Sequence, residues 1–151
     1  MSDDWIALIP EDPHYIPDPE RQKLAQRLFG ELAPDAESVE AQTTQVVTFF
    51  HCGGNFERVL CPSCGVQAPI EWWQDRMCED ELDEGFKLTK YVTPCCGSEH
   101  TLHELNYDWP QGFGRFALCA MNANIGRLDE PAIAEFERIL GTKLRTIYKH
   151  I

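Results

Sequence analysis

Trp5-Ile6-Ala7-Leu8-Ile9 is the stretch that decides the first element of the fold, and similar stretches follow later in the chain. Its apolar and aromatic residues predict a short strand, which Pro10 ends. Residues 45–50, β-branched and aromatic, predict a second strand, and residues 143–148 predict a last one. The apolar run at 115–121 is too short to distinguish a strand from a helix.

A first helix is predicted after the opening strand. Asp18 offers an N-cap carboxylate, and Pro19 suits the first helical position, so the helix should begin there. Leu24, Leu28 and Leu32 recur every four residues and predict one apolar stripe along it.

A second helix is predicted near the other end of the chain. Asp129 is its expected N-cap, and Gly141 suits the position after its last turn. Its expected buried stripe consists of Ile133, Phe136 and Leu140. If residues 115–122 form a strand, the ends of the chain have the order β-α-β, an excursion, and β-α-β. This order predicts an α+β, ferredoxin-like core in a single domain, residues 1–151, with the cysteine-containing region 52–105 inserted between its middle strands.

Composition and charge limit the classes of function. The chain has 151 residues, 43% of them hydrophobic, which is enough for a real core, and a net charge of −12. Such a field repels nucleic acid and anionic membranes, so we expect neither as a partner, and it attracts basic proteins. The acidic start lacks the pattern of a signal peptide, and no apolar run could span a bilayer. We therefore expect a cytoplasmic protein with reduced thiols.

Two tight pairs of cysteines carry the strongest chemical signal. Cys61 and Cys64 lie in a Cys-Pro-Ser-Cys-Gly motif, and Cys95 and Cys96 lie in Pro-Cys-Cys-Gly about thirty residues later. Four thiolates in two pairs are typical of a closed, tetrahedral, structural zinc site, so Zn²⁺ is the expected metal. Adjacent cysteines are unusual in such a site. One of the second pair could therefore be replaced as a ligand by His100, His103 or Cys52, the reserve ligand.

The first motif resembles the knuckle of a zinc ribbon, and the second resembles it with the spacing shortened. This resemblance covers about a third of the chain. It implies that residues 52–105 form a zinc-ribbon-like subdomain that binds the metal ion through Cys61, Cys64, Cys95 and Cys96. The whole chain also resembles a group of small uncharacterised bacterial proteins that open with Trp-Ile-x-Leu-Ile-Pro and close near His-Ile. That second resemblance implies no activity.

Other reactive residues have simpler interpretations. Cys52 follows His51 directly, and neighbours on a strand point to opposite faces, so a buried, inert thiol is expected there. Cys78 follows acidic residues, which raise a thiol pKa, and Cys119 lies in an apolar run. The aromatic residues near the insertion are expected to pack it against the main sheet. No phosphate loop, dinucleotide fingerprint or His-Glu-x-x-His motif occurs in the sequence.

The sequence therefore favours a non-enzymatic zinc-binding protein that acts through protein–protein interaction. An acidic face would bind a basic protein, as an immunity or inhibitor protein does; the oligomeric state is left open. The acids expected on this face are Glu71, Asp75, Glu79, Asp80, Glu81, Asp83 and Glu84. The alternative is a zinc-dependent hydrolase with an open site of three ligands, such as Cys61, Cys64 and Cys96, with water in the fourth position.

Overall fold

A computed structural model describes residues 2–151 and gives an α+β protein with three helices and antiparallel sheets. The elements in chain order are β1 (Asp4–Pro10), α1 (Pro19–Leu32), β2 (Ser38–Phe50), β3 (Arg58–Leu60), α2 (Ile70–Asp80), β4 (Glu81–Leu82), β5 (Gly85–Phe86), β6 (Tyr91–Val92), β7 (Glu99–His100), β8 (Asn106–Asp108), β9 (Gly112–Met121), α3 (Glu130–Leu140) and β10 (Leu144–His150). The α+β class expected from the sequence is confirmed at this level.

The main sheet has four strands in the order β10-β1-β9-β2, all antiparallel. Ala7 of β1 lies opposite Ile147 of β10 on one side and opposite Cys119 of β9 on the other. The pairing of β2 with β9 shifts register between Thr43 and Thr48, as at a β-bulge, and continues to Phe50.

Residues 115–121, for which the sequence does not distinguish a strand from a helix, lie in the strand β9. It lies between β1 and β2 and is buried on both faces, so Phe116, Ala117 and Leu118 are all fully buried in succession. A strand covered on both sides has no alternation of polar and apolar residues, and this explains why its sequence does not distinguish it from a helix.

The helix caps are as expected. The Asp18 side chain accepts a hydrogen bond from the N–H of Arg21, and the Asp129 side chain accepts one from the N–H of Ala132. Gly141 has a φ of 75° and its N–H donates to the carbonyl of Glu137, which ends α3.

The predicted apolar stripe on α1 is correct at Leu28, which is partly buried against the core, and wrong at Leu24 and Leu32. Leu24 is 52% exposed and Leu32 is 38% exposed, whereas Ala25 and Phe29 are fully buried. The buried face of α1 is therefore centred on Ala25 and Phe29, each one position after a leucine. Phe29 meets Phe136 of α3 at 5.2 Å between ring centroids, so the buried face of α1 also packs against α3.

One core lies between the sheet and the helices α1 and α3, and the opposite face of the sheet is partly covered by the segment between β2 and β9. A second apolar cluster joins Val59 and Leu102 of this segment to Phe113 of β9. Residues 102–104 form a turn, and the strand that follows, β8, pairs with β3. Within residues 2–151, no helix has the length and apolar character needed to cross a membrane.

Candidate metal centre

The two cysteine motifs form two turns of the same shape. In the first turn, which follows β3, the N–H of Gly65 donates to the carbonyl of Cys61, and Gly65 has a φ of 76°. In the second turn, between β6 and β7, the N–H of Gly97 donates to the carbonyl of Thr93, and Gly97 has a φ of 73°. Glycine is suited to both positions because a positive φ strains other residues.

This correspondence explains the adjacent cysteines. Thr93 stands where the first turn has Cys61, and Cys96 stands where it has Cys64. The second turn is therefore regular in shape but has a threonine in its first position. Cys95, the residue before Cys96, provides the remaining sulfur. The repeated x-Pro-x-Cys-Gly pattern was a signal that sequence reasoning missed.

The structure brings all four predicted cysteines together. The sulfurs of Cys61, Cys64, Cys95 and Cys96 all lie within 4.8 Å of one another. Across the two turns, Cys61 Sγ lies 3.7 Å from Cys96 Sγ, and Cys64 Sγ lies 3.3 Å from Cys95 Sγ. A tetrahedral zinc–thiolate site with bonds of about 2.3 Å has sulfurs about 3.8 Å apart. The donor set and its spacing fit such an ion.

Hydrogen-bond donors surround the sulfurs unevenly. The N–H of Cys64 donates to Cys61 and, together with the N–H of Ser63, lowers the pKa of Cys61 to about 5. The hydroxyl of Ser98 lies 3.1 Å from Cys96 Sγ and lowers the pKa of that thiol.

The pKa of Cys64 is shifted in the opposite direction. The N–H of Val66 favours its thiolate, but the neighbouring sulfur of Cys95, together with desolvation by the surrounding atoms, outweighs this effect and raises the pKa of Cys64 to about 12. Four sulfurs this close repel one another when ionised, and a bound dication offsets that repulsion.

His100 lies outside the cluster of sulfurs and bridges the two turns. Its Nε2 lies 2.8 Å from the hydroxyl of Ser63 in the first turn and 3.0 Å from the hydroxyl of Ser98 in the second. The hydroxyl of Ser98 also lies 3.1 Å from that of Thr93. His100 therefore belongs to the polar shell that orients the turns, as partners of metal ligands do.

His103 is held in a separate buried network. Its Nδ1 accepts from the N–H of Phe113 at 2.9 Å, and its Nε2 lies 2.7 Å from the carbonyl oxygen of Glu11. Burial lowers the pKa of His103 to about 4, and the charge of Arg145 adds to the effect. The ring is neutral, and both of its nitrogens already have partners, so it does not face the cysteines.

The remaining cysteines also lie away from the cluster. Cys52 is fully buried, burial raises the pKa of its thiol, and its Sγ lies 3.3 Å from Oε1 of Gln111. Burial raises the pKa of Cys119 to about 11. Cys78 is exposed on α2. The expectation of an inert, buried Cys52 agrees with this placement.

Not all of the acidic residues in the stretch 71–84 are exposed. Asp80 is fully buried, and its carboxylate accepts hydrogen bonds from the N–H of Leu88 at 2.7 Å, the N–H of Thr89 at 2.9 Å and the hydroxyl of Tyr91 at 3.0 Å. Glu79 is exposed but forms an ion pair with Arg76. Within the acidic stretch 71–84, the exposed acids that form no ion pair with any of residues 2–151 are Glu71, Asp75, Glu81, Asp83 and Glu84.

The aromatic residues of this region pack inward. Trp73 stacks on Phe56 with 5.2 Å between ring centroids, and its Nε1 donates to the hydroxyl of Tyr107 at 3.0 Å. Arg76 lies over the rings of Trp72 and Tyr91. The aromatic cluster thus supports α2 and the strand that leads into the second turn.

No protein-family model, curated protein or solved structure matches this chain. The class of protein that the geometry defines is accordingly the coarse one: an α+β protein whose four clustered cysteines could hold a metal ion. The zinc-ribbon and bacterial-family resemblances stay predictions.

Proposed function

We propose that this chain is a non-enzymatic zinc-binding protein in which Cys61, Cys64, Cys95 and Cys96 hold one structural Zn²⁺. The observation that carries the proposal is the cluster itself, in which the four sulfurs lie within 4.8 Å of one another. Four thiolates complete a tetrahedral shell and leave no position for water, so the ion would join the two turns rather than activate a nucleophile. Thiolate ligands also require reduced cysteines, which supports a cytoplasmic location.

The architecture we propose around this ion is a ferredoxin-like core with a zinc-ribbon-like insertion. The β-α-β order at each end of the chain and the sheet order β10-β1-β9-β2 support the core. The two turns of matching shape, each closed by a glycine N–H, support the insertion.

X-ray absorption at the zinc edge tests the site. We expect four sulfur neighbours at about 2.3 Å and no oxygen or nitrogen neighbour. Chelation of the metal should also lower the melting temperature, because the ion joins two segments of the fold. Three sulfurs and one oxygen would contradict the proposal and favour the zinc-dependent hydrolase with its open site.

We further propose that the protein acts by binding a basic protein, as an inhibitor or immunity protein does. The net charge of −12 supports this, and so does the β4–β5 hairpin, where Glu81, Asp83 and Glu84 surround the exposed Leu82. An apolar side chain beside exposed acids offers both contact area and charge complementarity. Asp80 does not belong to this face, because its carboxylate is buried.

A pull-down at low and high salt tests the docking face. Replacing Glu81, Asp83 and Glu84 together with lysine should abolish capture of basic proteins at low salt. The matched control reverses three other exposed acids near the start of β2, Asp35, Glu37 and Glu40. Equal loss of capture in both variants would mean that only the overall charge matters, and no capture at all would end the docking proposal.

A further inference from the structure

The four sulfurs divide into two pairs, and each pair joins one turn to the other. Cys64 and Cys95 form the closer pair, with 3.3 Å between sulfurs, and Cys61 and Cys96 form the other, with 3.7 Å. A disulfide needs a sulfur–sulfur distance of about 2.05 Å. The closer pair therefore needs the smaller movement to form a covalent bond.

The two pairs also differ in access. Cys64 and Cys95 are both exposed. Cys61 is only 1% exposed, and its sulfur lies behind the hydroxyls of Thr93 at 3.8 Å and Ser98 at 3.7 Å. A dissolved oxidant reaches the first pair without any opening of the fold, whereas the second pair has one partner that solvent does not reach.

We propose that hydroperoxides oxidise Cys64 and Cys95 to a disulfide that takes over the link between the two turns and releases the metal. This inference rests on the proposed zinc site and adds to it a redox-controlled release.

The chemistry balances with the peroxide as the only oxidant. One exposed thiolate attacks the peroxide, so that an S–O bond forms, the O–O bond breaks and an alkoxide, or hydroxide from hydrogen peroxide, leaves. The second thiolate then attacks that sulfur, so that the S–S bond forms and hydroxide leaves. Two thiolates lose two electrons in all, and the peroxide bond gains them. Cys61 and Cys96 alone then offer two of the four ligands that a structural zinc ion needs.

The other possible disulfides are less favourable. A bond between Cys95 and Cys96 would close a small, strained ring across one peptide bond. Cys61 would have to leave its buried position before it met an oxidant. Cys78 is exposed, but its sulfur lies outside the metal-binding cluster, so it has no near partner. The structure therefore favours one disulfide among several.

The experiment uses the full-length, zinc-loaded protein and hydrogen peroxide. Released zinc is followed with 4-(2-pyridylazo)resorcinol, free thiols are then blocked with iodoacetamide, and the disulfide is located by peptide mass spectrometry. We expect one zinc ion released for each Cys64–Cys95 disulfide formed, and recovery of binding after dithiothreitol and zinc are added. Cys78→Ser is the matched control, with an exposed cysteine removed outside the cluster, and should release zinc at the wild-type rate.

Two results would overturn the proposal: zinc that stays bound under peroxide, or zinc that leaves while Cys64 and Cys95 still react with iodoacetamide. Because the wild-type protein is mapped directly, the decision does not depend on the folding of a cysteine variant. A chain that binds no zinc before peroxide is added would overturn the proposed zinc site itself, and this inference with it.

Discussion

Asp80 provides the sharpest test of how the second turn is held, through the substitution Asp80→Asn. Its buried carboxylate accepts three hydrogen bonds, from the N–H groups of Leu88 and Thr89 and from the hydroxyl of Tyr91. Asparagine has one acceptor oxygen, so its NH₂ group must face at least one of the two backbone donors. A lost hydrogen bond to a charged group costs about 1.5–3 kcal/mol, and the buried N–H left without a partner adds to this.

We therefore expect Asp80→Asn to lower the free energy of unfolding by about 3 kcal/mol. For a domain of this size, that loss lowers the melting temperature by about 6–12 °C. Urea unfolding of the zinc-loaded protein, followed by circular dichroism, measures the change. Asp75→Asn is the matched control, since Asp75 is an exposed carboxylate on the same helix with no side-chain hydrogen bond among residues 2–151.

The same substitution should weaken metal binding, because residues 87–91 lead directly into the second turn. Competition with a chelator should therefore remove zinc from Asp80→Asn at a lower chelator concentration than from Asp75→Asn. If the two variants unfold at the same urea concentration, Asp80 does not hold this segment and the reasoning fails.

Three further predictions concern pH, the second turn and the helix core. Burial lowers the pKa of His103 from 6.5 to about 4, so the folded state binds its proton more weakly than the unfolded chain. The contribution of the neutral ring to the free energy of unfolding should be fully present above pH 6.5 and should fall by about 3 kcal/mol as the pH drops through 6.5 toward 4. Urea unfolding at each pH should show this loss in the wild type but not in His103→Gln. Cys95→Ser should lose zinc affinity, and adding Thr93→Cys should restore it, because position 93 is equivalent to the first cysteine of the regular turn. Zinc titration measures both affinities. A double variant that binds zinc no more tightly than the single variant would refute the equivalence. Phe29→Ala should destabilise by about 3–5 kcal/mol in thermal unfolding, whereas Leu24→Ala should change little because Leu24 is half exposed, and similar losses in both would contradict the observed face of α1.

The sequence was most informative where structure is set locally. The helix starts at Asp18 and Asp129 and the stop at Gly141 were predictable because capping depends on neighbouring residues alone. β9 was ambiguous because its burial on both faces removes the alternation that identifies a strand. The three-residue strands β3 and β8 were missed, since only their pairing across the chain makes them strands.

The candidate site was predictable in its residues but not in its construction. Cysteine spacing indicated which four sulfurs would meet, because metal-binding turns are local motifs. The place of Thr93 in the second turn depends on a backbone hydrogen bond that the cysteine count does not reveal. Burial of Asp80 was not predictable from composition, because a run of acids looks the same whether each member faces water or backbone N–H groups.

The segment that carries the four cysteines is held to the main sheet by the side chain of one arginine. Arg145, on β10, donates from Nη1 to the carbonyl oxygens of His103 and Gln111, which belong to the segment that carries the cysteines. The rest of its guanidinium forms a two-bond ion pair with Glu11, just after β1. The Arg145 side chain is only 17% exposed, so separating the segment from the sheet would leave a charged group that has lost two of its acceptors. This network couples the stability of the sheet to that of the cysteine-containing segment, so a loss of structure in the two turns would also destabilise the sheet.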